Sequence, residues 1–192
     1  MPNFYILTGA PGSGKSTILR ELKAGNLTVI DEPAREILSE QRSFKGNGVP
    51  ETNPDLFTEL MLSRAVQQFK QFQDHTSPIL FDRGIPDMIG YAALFGIDQK
   101  AAQSAAVTYR YNRVVFITPP WKDIYKTDDE RKMSFDQAQA FGNDLVDIYR
   151  DFGYETVTVP KASPSERALF ILNSIRTART RPLAPPPQNM HY

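Results

Sequence analysis

Residues 8–17 read TGAPGSGKST, and no other stretch of the chain restricts its fold so tightly. The pattern is G-x-x-x-x-G-K-[ST], filled by Gly9, Gly14, Lys15 and Ser16. An apolar, strand-forming segment (residues 3–8) precedes it, and Ile18, Leu19 and Leu22 follow at helical spacing. A glycine-rich loop between a buried strand and a helix N-terminus is the setting of a phosphate cradle. Glycines let successive backbone N–H groups turn inward as an anion nest. The helix N-terminus adds partial positive charge. Gly9, Ala10, Pro11, Gly12, Ser13, Gly14, Lys15, Ser16 and Thr17 are the expected nucleotide-binding residues. Lys15 would reach the terminal phosphates and the Ser16 hydroxyl would ligate Mg²⁺. The four-residue pattern arises by chance in about 1% of chains of this length, and its strand–helix context lowers that further.

The rest of the chain alternates in the same way. Residues 27–32, 78–83, 113–120 and 154–160 read as further strands. Pro33 suits the first position of a helix beginning PAREILSEQ. Asn53 and Pro54 open a long helix to about Gln73, and residues 87–95 and 98–109 read as two more, separated by Gly96. Ser134 with Gln137, and Ser163 with Glu166, have the spacing of helix N-terminal caps. Five strands with helical crossovers predict an α/β fold: a parallel sheet covered by helices on both faces. At 192 residues the expected organisation is one domain, residues 1–180, followed by a proline-rich tail, residues 181–192.

Composition narrows the function. Twenty-two basic and 22 acidic residues balance, so no strong field for nucleic acid or an anionic membrane is expected. The chain has no cysteine and two histidines, His75 and His191, far apart in sequence, which argues against a zinc site. His75 reads as a surface residue in the turn before the third strand. The first strand starts almost at once and no apolar run approaches a membrane span, so a cytoplasmic protein is expected.

Ligands of open parallel sheets bind beyond the carboxyl ends of the strands. The second strand ends in Asp31-Glu32 and the third in Asp82-Arg83. A carboxylate beside a Mg-triphosphate can hold the metal or take the proton of the attacking hydroxyl, and two carboxylate ends allow both. Arg83 can stabilise charge on the transferred phosphoryl group. Residues 122–132, with Lys122, Lys126, Arg131 and Lys132 among acids, read as a basic lid holding a short helical turn capped by Thr127 and Glu130. Arg131 is the leading candidate there because a guanidinium forks onto phosphate oxygens. Residues 161–165 lie where a nucleotide base would rest. Tyr91, Phe95 and Phe57 read as core aromatics in preference to an acceptor-stacking set.

The segments GAPGSGKST, DEPARE and FDRGIPD together resemble small P-loop kinases of the nucleoside and nucleotide kinase type. The chain is most similar to the NadR-like AAA family, which includes the ribosylnicotinamide kinase domain, and TDDERKMSFDQA resembles that family's lid. The likeness extends to about Arg179. It implies a three-layer P-loop NTPase fold with strand order 2-3-1-4-5, ATP or GTP with Mg²⁺, and a small lid. It also implies that Glu32, followed by Pro33, is the general base, and that Asp82-Arg83 is the acid–arginine pair after the third strand. Gly84 stands where deoxynucleoside kinases often carry serine. With strand three beside the phosphate-loop strand, Asp82 and Ser16 are the metal-side residues and Glu32 faces the acceptor. The expected activity is transfer of a γ-phosphoryl group to a hydroxyl or phosphate of a small, nucleoside- or nucleotide-like acceptor. The alternative is a nucleotide-dependent switch or NTPase without an acceptor, although no N-K-x-D guanine-reading motif is present.

Overall fold

The computed structural model describes residues 3–127 and 133–178. The proline-rich tail lies outside the described residues. Five strands form one parallel sheet: β1 (Phe4–Gly9), β2 (Thr28–Ile30), β3 (Ile79–Asp82), β4 (Val114–Thr118) and β5 (Glu155–Thr158). Their order is β2-β3-β1-β4-β5, as the family resemblance implied. The helices are α1 (Lys15–Ala24), α2 (Ala34–Ser43), α3 (Pro54–Gln71), α4 (Asp87–Phe95), α5 (Lys100–Thr108), α6 (Phe135–Asp151) and α7 (Pro164–Ala178).

The central strand shows why the fold has three layers. Every residue of β1 is buried, as expected of a parallel strand covered on both faces. Its side chains alternate between two cores. Phe4 and Ile6 join a cluster with Phe57 and Met61 of α3, Ile89 of α4 and Tyr149 of α6. Tyr5 and Leu7 join another with Ile18 and Leu22 of α1 and Ile171 and Ile175 of α7. The apolar stripe foreseen on α1 is therefore the face that closes the second core.

The caps form as their sequences indicate. Asn53 Oδ1 accepts a hydrogen bond from Leu56 N at 3.0 Å. Ser134 and Gln137 make a reciprocal capping box. Ser163 Oγ accepts from Glu166 N at 3.4 Å while Glu166 Oε2 accepts from Ser163 N at 3.0 Å. One local expectation shifts. Pro33 is the cap of α2, one place before its first helical residue. Among the described residues of the expected lid, a 3-10 turn stands at Lys122–Ile124, and the turn expected after Thr127 lies outside the described residues.

Parallel register brings all the strand ends to one edge. Leu7 pairs with Asp82 across β1 and β3, and Gly9 with Thr118 across β1 and β4. At Gly9 the approach of β4 is too close for a side chain. A Cβ there would stand 2.2 Å from the carbonyl oxygen of Thr118, and φ is +135°. Gly9→Ala must therefore move either the start of the phosphate loop or the end of β4. Its thermal midpoint is expected to fall by about 5 °C or more, and a wild-type melting curve would contradict this account of the loop entry.

Candidate functional site

The loop after β1 is held from three directions. The Ser13 hydroxyl donates to Ala10 O and pairs with the Thr118 hydroxyl, each at 2.6 Å. Thr17 Oγ1 donates to Gly14 O at 2.7 Å. From α7, Arg167 Nη1 donates to Ser13 O at 3.1 Å. Gly14 caps α1 in the left-handed conformation, which turns the chain from the loop into the helix. Lys15 is the first residue of that helix and makes no ion pair among the described residues. Burial, and repulsion from Arg83, lower its ammonium to about 8 against the opposing attraction of Asp82, Glu32 and Asp87. A polyanion in the loop would supply the countercharge this lysine lacks.

The loop opens into a cleft of about 1540 Å³ at the carboxyl edge of the sheet. Lys15, Ser16, Glu32, Asp82 and Arg83 all line it, so the structure brings these expected site residues together. Arg131 lies outside the described residues. Asp31 reaches the same cleft, but its side chain is turned to α1, where Lys23 Nζ meets it at 2.7 Å. His75 is exposed in the turn before β3.

Asp82 and Glu32 differ sharply in surroundings. Asp82 Oδ1 is buried and accepts no hydrogen bond among the described residues. Burial is the main reason its carboxyl is pushed up to about 6; Glu32 and Asp87 add to that, while Lys15 and Arg83 oppose it. Glu32 is engaged through one oxygen. Its Oε1 accepts from the Tyr91 hydroxyl at 2.9 Å and lies 2.9 Å from Arg83 Nε, an ion pair whose N–H is not aimed at the oxygen. No hydrogen bond reaches its other oxygen among the described residues, and the side chain stays partly exposed to the cleft.

Arg83 holds a left-handed backbone, φ +66°, which is costly for a side chain of this size. Its backbone N–H donates to Leu7 O at 3.0 Å. Its Nη1 lies 3.1 Å from Asp87 Oδ1 and 3.3 Å from both Thr8 Oγ1 and Gly9 O. Burial opposes the guanidinium charge, but Tyr91, Glu32, Asp87 and Asp82 more than compensate, so it stays protonated throughout the accessible range.

Three residues of this site were not anticipated. Asp87 read only as the start of a helix, yet it is fully buried against Arg83. Its place four residues after an arginine was the available signal. Tyr91 read as a core aromatic and does pack against the core, but it also lines the cleft, its hydroxyl bonds Glu32, and its ring lies 5.4 Å from the Arg83 guanidinium. Phe57, by contrast, packs in the core as read, edge-on to Phe95. Arg167 is 2% exposed, its Nε and Nη2 have no hydrogen-bond partner among the described residues, and it lies beneath the Trp121 ring at 5.6 Å. It continues the buried stripe of Ile171 and Ile175 at a spacing of four, so a charge on an apolar helix face was its signature. Ala162, Ser163 and Pro164 line the same flank of the cleft, where the base was expected.

The raised Asp82 carboxyl has a consequence for folding. Between its ordinary value of 3.8 and its folded value of about 6, the folded state binds more protons than the unfolded one. Stability from this group is therefore full at low pH and lost as pH rises through that window. Asp82→Asn should gain thermal stability relative to wild type by about 3–6 °C on going from pH 4 to pH 8 in the ligand-free protein. A constant difference between the two melting midpoints across that range would show that Asp82 ionises normally.

Known proteins place this geometry. A comparison of the sequence with curated proteins finds no significant match. Among solved structures, deoxyadenosine kinase from M. mycoides with bound dATP aligns with TM-score 0.62 and 16% identity, over 90% of this chain and 98% of that one. Shikimate kinase from Acinetobacter baumannii in complex with shikimate aligns with TM-score 0.55 and 15% identity, over 94% of this chain and 97% of that one. NadR protein in complex with NR aligns with TM-score 0.70 and 16% identity, over 95% of this chain and 52% of that one. The shared feature is the small P-loop kinase fold. The sequence profile of the AAA domain family matches residues 4–167, and the chain belongs to that family.

Proposed function

We propose that this protein is a Mg-dependent phosphotransferase that moves the γ-phosphoryl group of ATP or GTP to a hydroxyl or phosphate of a small, nucleoside- or nucleotide-like acceptor. The observation that carries the reading is one cleft with two differently built flanks. The phosphate loop, Trp121, Pro164 and Arg167 form one flank, on the β4–β5 side. Glu32, Arg35, Gln68 and Tyr91 form the other, on the β2–β3 side. Ligand pockets commonly measure about 300–1,000 Å³, and this cleft, at about 1540 Å³, has room for a donor and an acceptor together. A hydrolase or switch without an acceptor has no need of the second flank. The molecules bound in the similar structures, shikimate and NR, are small, which agrees with that reading.

The side chains divide the work. Lys15 binds the terminal phosphates and neutralises them. Glu32, through the oxygen that Tyr91 and Arg83 leave open, takes the proton of the acceptor hydroxyl as the acceptor oxygen bonds to phosphorus and the bridging P–O bond of the donor breaks. Arg83 faces the group in transit with the guanidinium edge that Glu32 and Asp87 do not occupy. Mg²⁺ fits the residues present: Asp82 offers a buried oxygen with no partner, and the exposed Ser16 hydroxyl makes no hydrogen bond among the described residues. When bound, the ion would neutralise charge on the donor phosphates. Arg131 is proposed as the lid arginine that adds positive charge as the cleft closes.

Thermal-shift screening with nucleosides, nucleotides and nicotinamide riboside, each with a non-hydrolysable ATP or GTP analogue, identifies the acceptor class, since stabilisation grows with the logarithm of saturation. Lys15→Ala is expected to abolish analogue binding in calorimetry while remaining folded; unchanged affinity would remove the phosphate-loop reading. With an acceptor in hand, Glu32→Gln should keep analogue affinity and lose about 10²–10⁴ in turnover. Asp82→Asn should instead raise the Mg²⁺ concentration for half-maximal activity. The reverse pattern would exchange the two roles, and normal turnover in both variants would leave the strand-end carboxylates without catalytic parts.

A further inference from the structure

Asp87 is a carboxylate beside the cleft residue Arg83 that is itself sealed from the cleft. It has no exposed surface, and every group that meets it comes from the protein. Oδ1 takes the Thr8 hydroxyl and Arg83 Nη1. Oδ2 takes Gly84 N at 2.8 Å and the Tyr149 hydroxyl. The carboxylate thus gathers β1, the β3–α4 turn and α6 onto one point. The two oxygens have separate duties: Oδ2 closes the turn and meets α6, while Oδ1 serves Thr8 and the arginine.

The effect on Arg83 is specific. Nη1 is committed to Asp87, Thr8 and Gly9 O, and Nε is paired with Glu32. Nη2 has no partner among the described residues. A long flexible side chain is thereby reduced to one presented nitrogen, on a residue that lines the cleft beside Lys15 and Asp82. Charge stabilisation in transfer depends on donors that are already in place when charge develops.

We infer that Asp87 is a positioning residue, which fixes the Arg83 guanidinium so that Nη2 faces the group being transferred. The inference rests on the phosphotransferase reading proposed above. A purely structural Asp87, satisfying the turn at the start of α4, would affect folding and nucleotide binding alike and leave transfer chemistry without a separate loss.

Calorimetric titration of the full chain with MgADP, with and without aluminium fluoride as a mimic of the transferring phosphoryl group, separates these possibilities. In wild type, fluoride should tighten MgADP binding by about 10²-fold or more. Arg83→Ala should lose that gain. Asp87→Asn should lose about 10-fold or more of it, while its affinity for MgADP alone stays within about two-fold of wild type. A folded Asp87→Asn protein with the full fluoride gain, or with MgADP affinity reduced as much as the gain, overturns the positioning role. If Asp87→Asn shows no cooperative melting, Thr8→Val, which removes the hydroxyl that meets both Asp87 Oδ1 and Arg83 Nη1, decides the matter. A smaller fluoride gain at unchanged MgADP affinity supports the inference, and an unchanged gain overturns it. A wild-type protein with no fluoride gain has no donor preset for the transferring group, and the inference falls while the phosphotransferase reading, tested by Lys15→Ala and Glu32→Gln, stands. A normal wild-type gain that Asp87→Asn retains removes the inference alone.

Discussion

A guanidinium buried between two carboxylates organises the cleft edge of this molecule. Arg83 lies between Glu32, which follows β2, and Asp87, which begins α4, and it also reaches Thr8 and Gly9 at the end of β1. A charge taken out of water is tolerated only when paired and hydrogen-bonded, and removing one partner of such a pair costs about 3–5 kcal/mol. The need to satisfy Arg83 therefore constrains three neighbouring strand ends at once. It also accounts for the left-handed backbone at this position: the geometry that delivers the side chain beneath the phosphate loop is held by the contacts it makes there.

Around that centre the ligand-free site is electrostatically unsettled. Lys15 is lowered to about 8 by burial and by Arg83, and Asp82 is raised to about 6, chiefly by burial. Each has an ionised state that its surroundings disfavour. An anion in the loop relieves the lysine and a cation beside the carboxylate relieves the aspartate, so each would favour the arrival of the other. Asp82 sits close to the loop and to Lys15 because β3 pairs directly with β1. Glu32 is one strand further out, beyond β2, and belongs to the opposite flank of the cleft.

Much of this was legible locally. The phosphate loop needs only neighbouring residues: glycines to curl the backbone, a lysine, a hydroxyl and the start of a helix. The caps at Asn53, Ser134 and Ser163 are equally local, each a side chain meeting a backbone N–H three residues on. The burial of β1 followed from its apolar run, and the two-sided core from its alternation. The convergence of Glu32, Asp82 and Arg83 followed from one rule about parallel strands, which places their ends along a common edge.

What escaped the sequence is every contact between elements far apart in the chain. Asp87 finds Tyr149 across 62 residues, and Arg167 finds Ser13 across 154. Taken locally, Asp87 is an acid at a helix start and Tyr91 an aromatic on a helix, and both bland readings are sound for residues viewed alone. Only packing shows that Tyr91 points its hydroxyl at Glu32, or that Asp31 pairs with Lys23 at the cleft. The sequence by itself determined the phosphate loop, the order of elements along the chain and the strand ends that carry charge, because these depend on periodicity and near neighbours. The tertiary structure alone decided which oxygen of Glu32 the Tyr91 hydroxyl meets and which nitrogen of Arg83 is committed to Asp87, Thr8 and Gly9. Those choices depend on directions in space that only the packed sheet and its helices define.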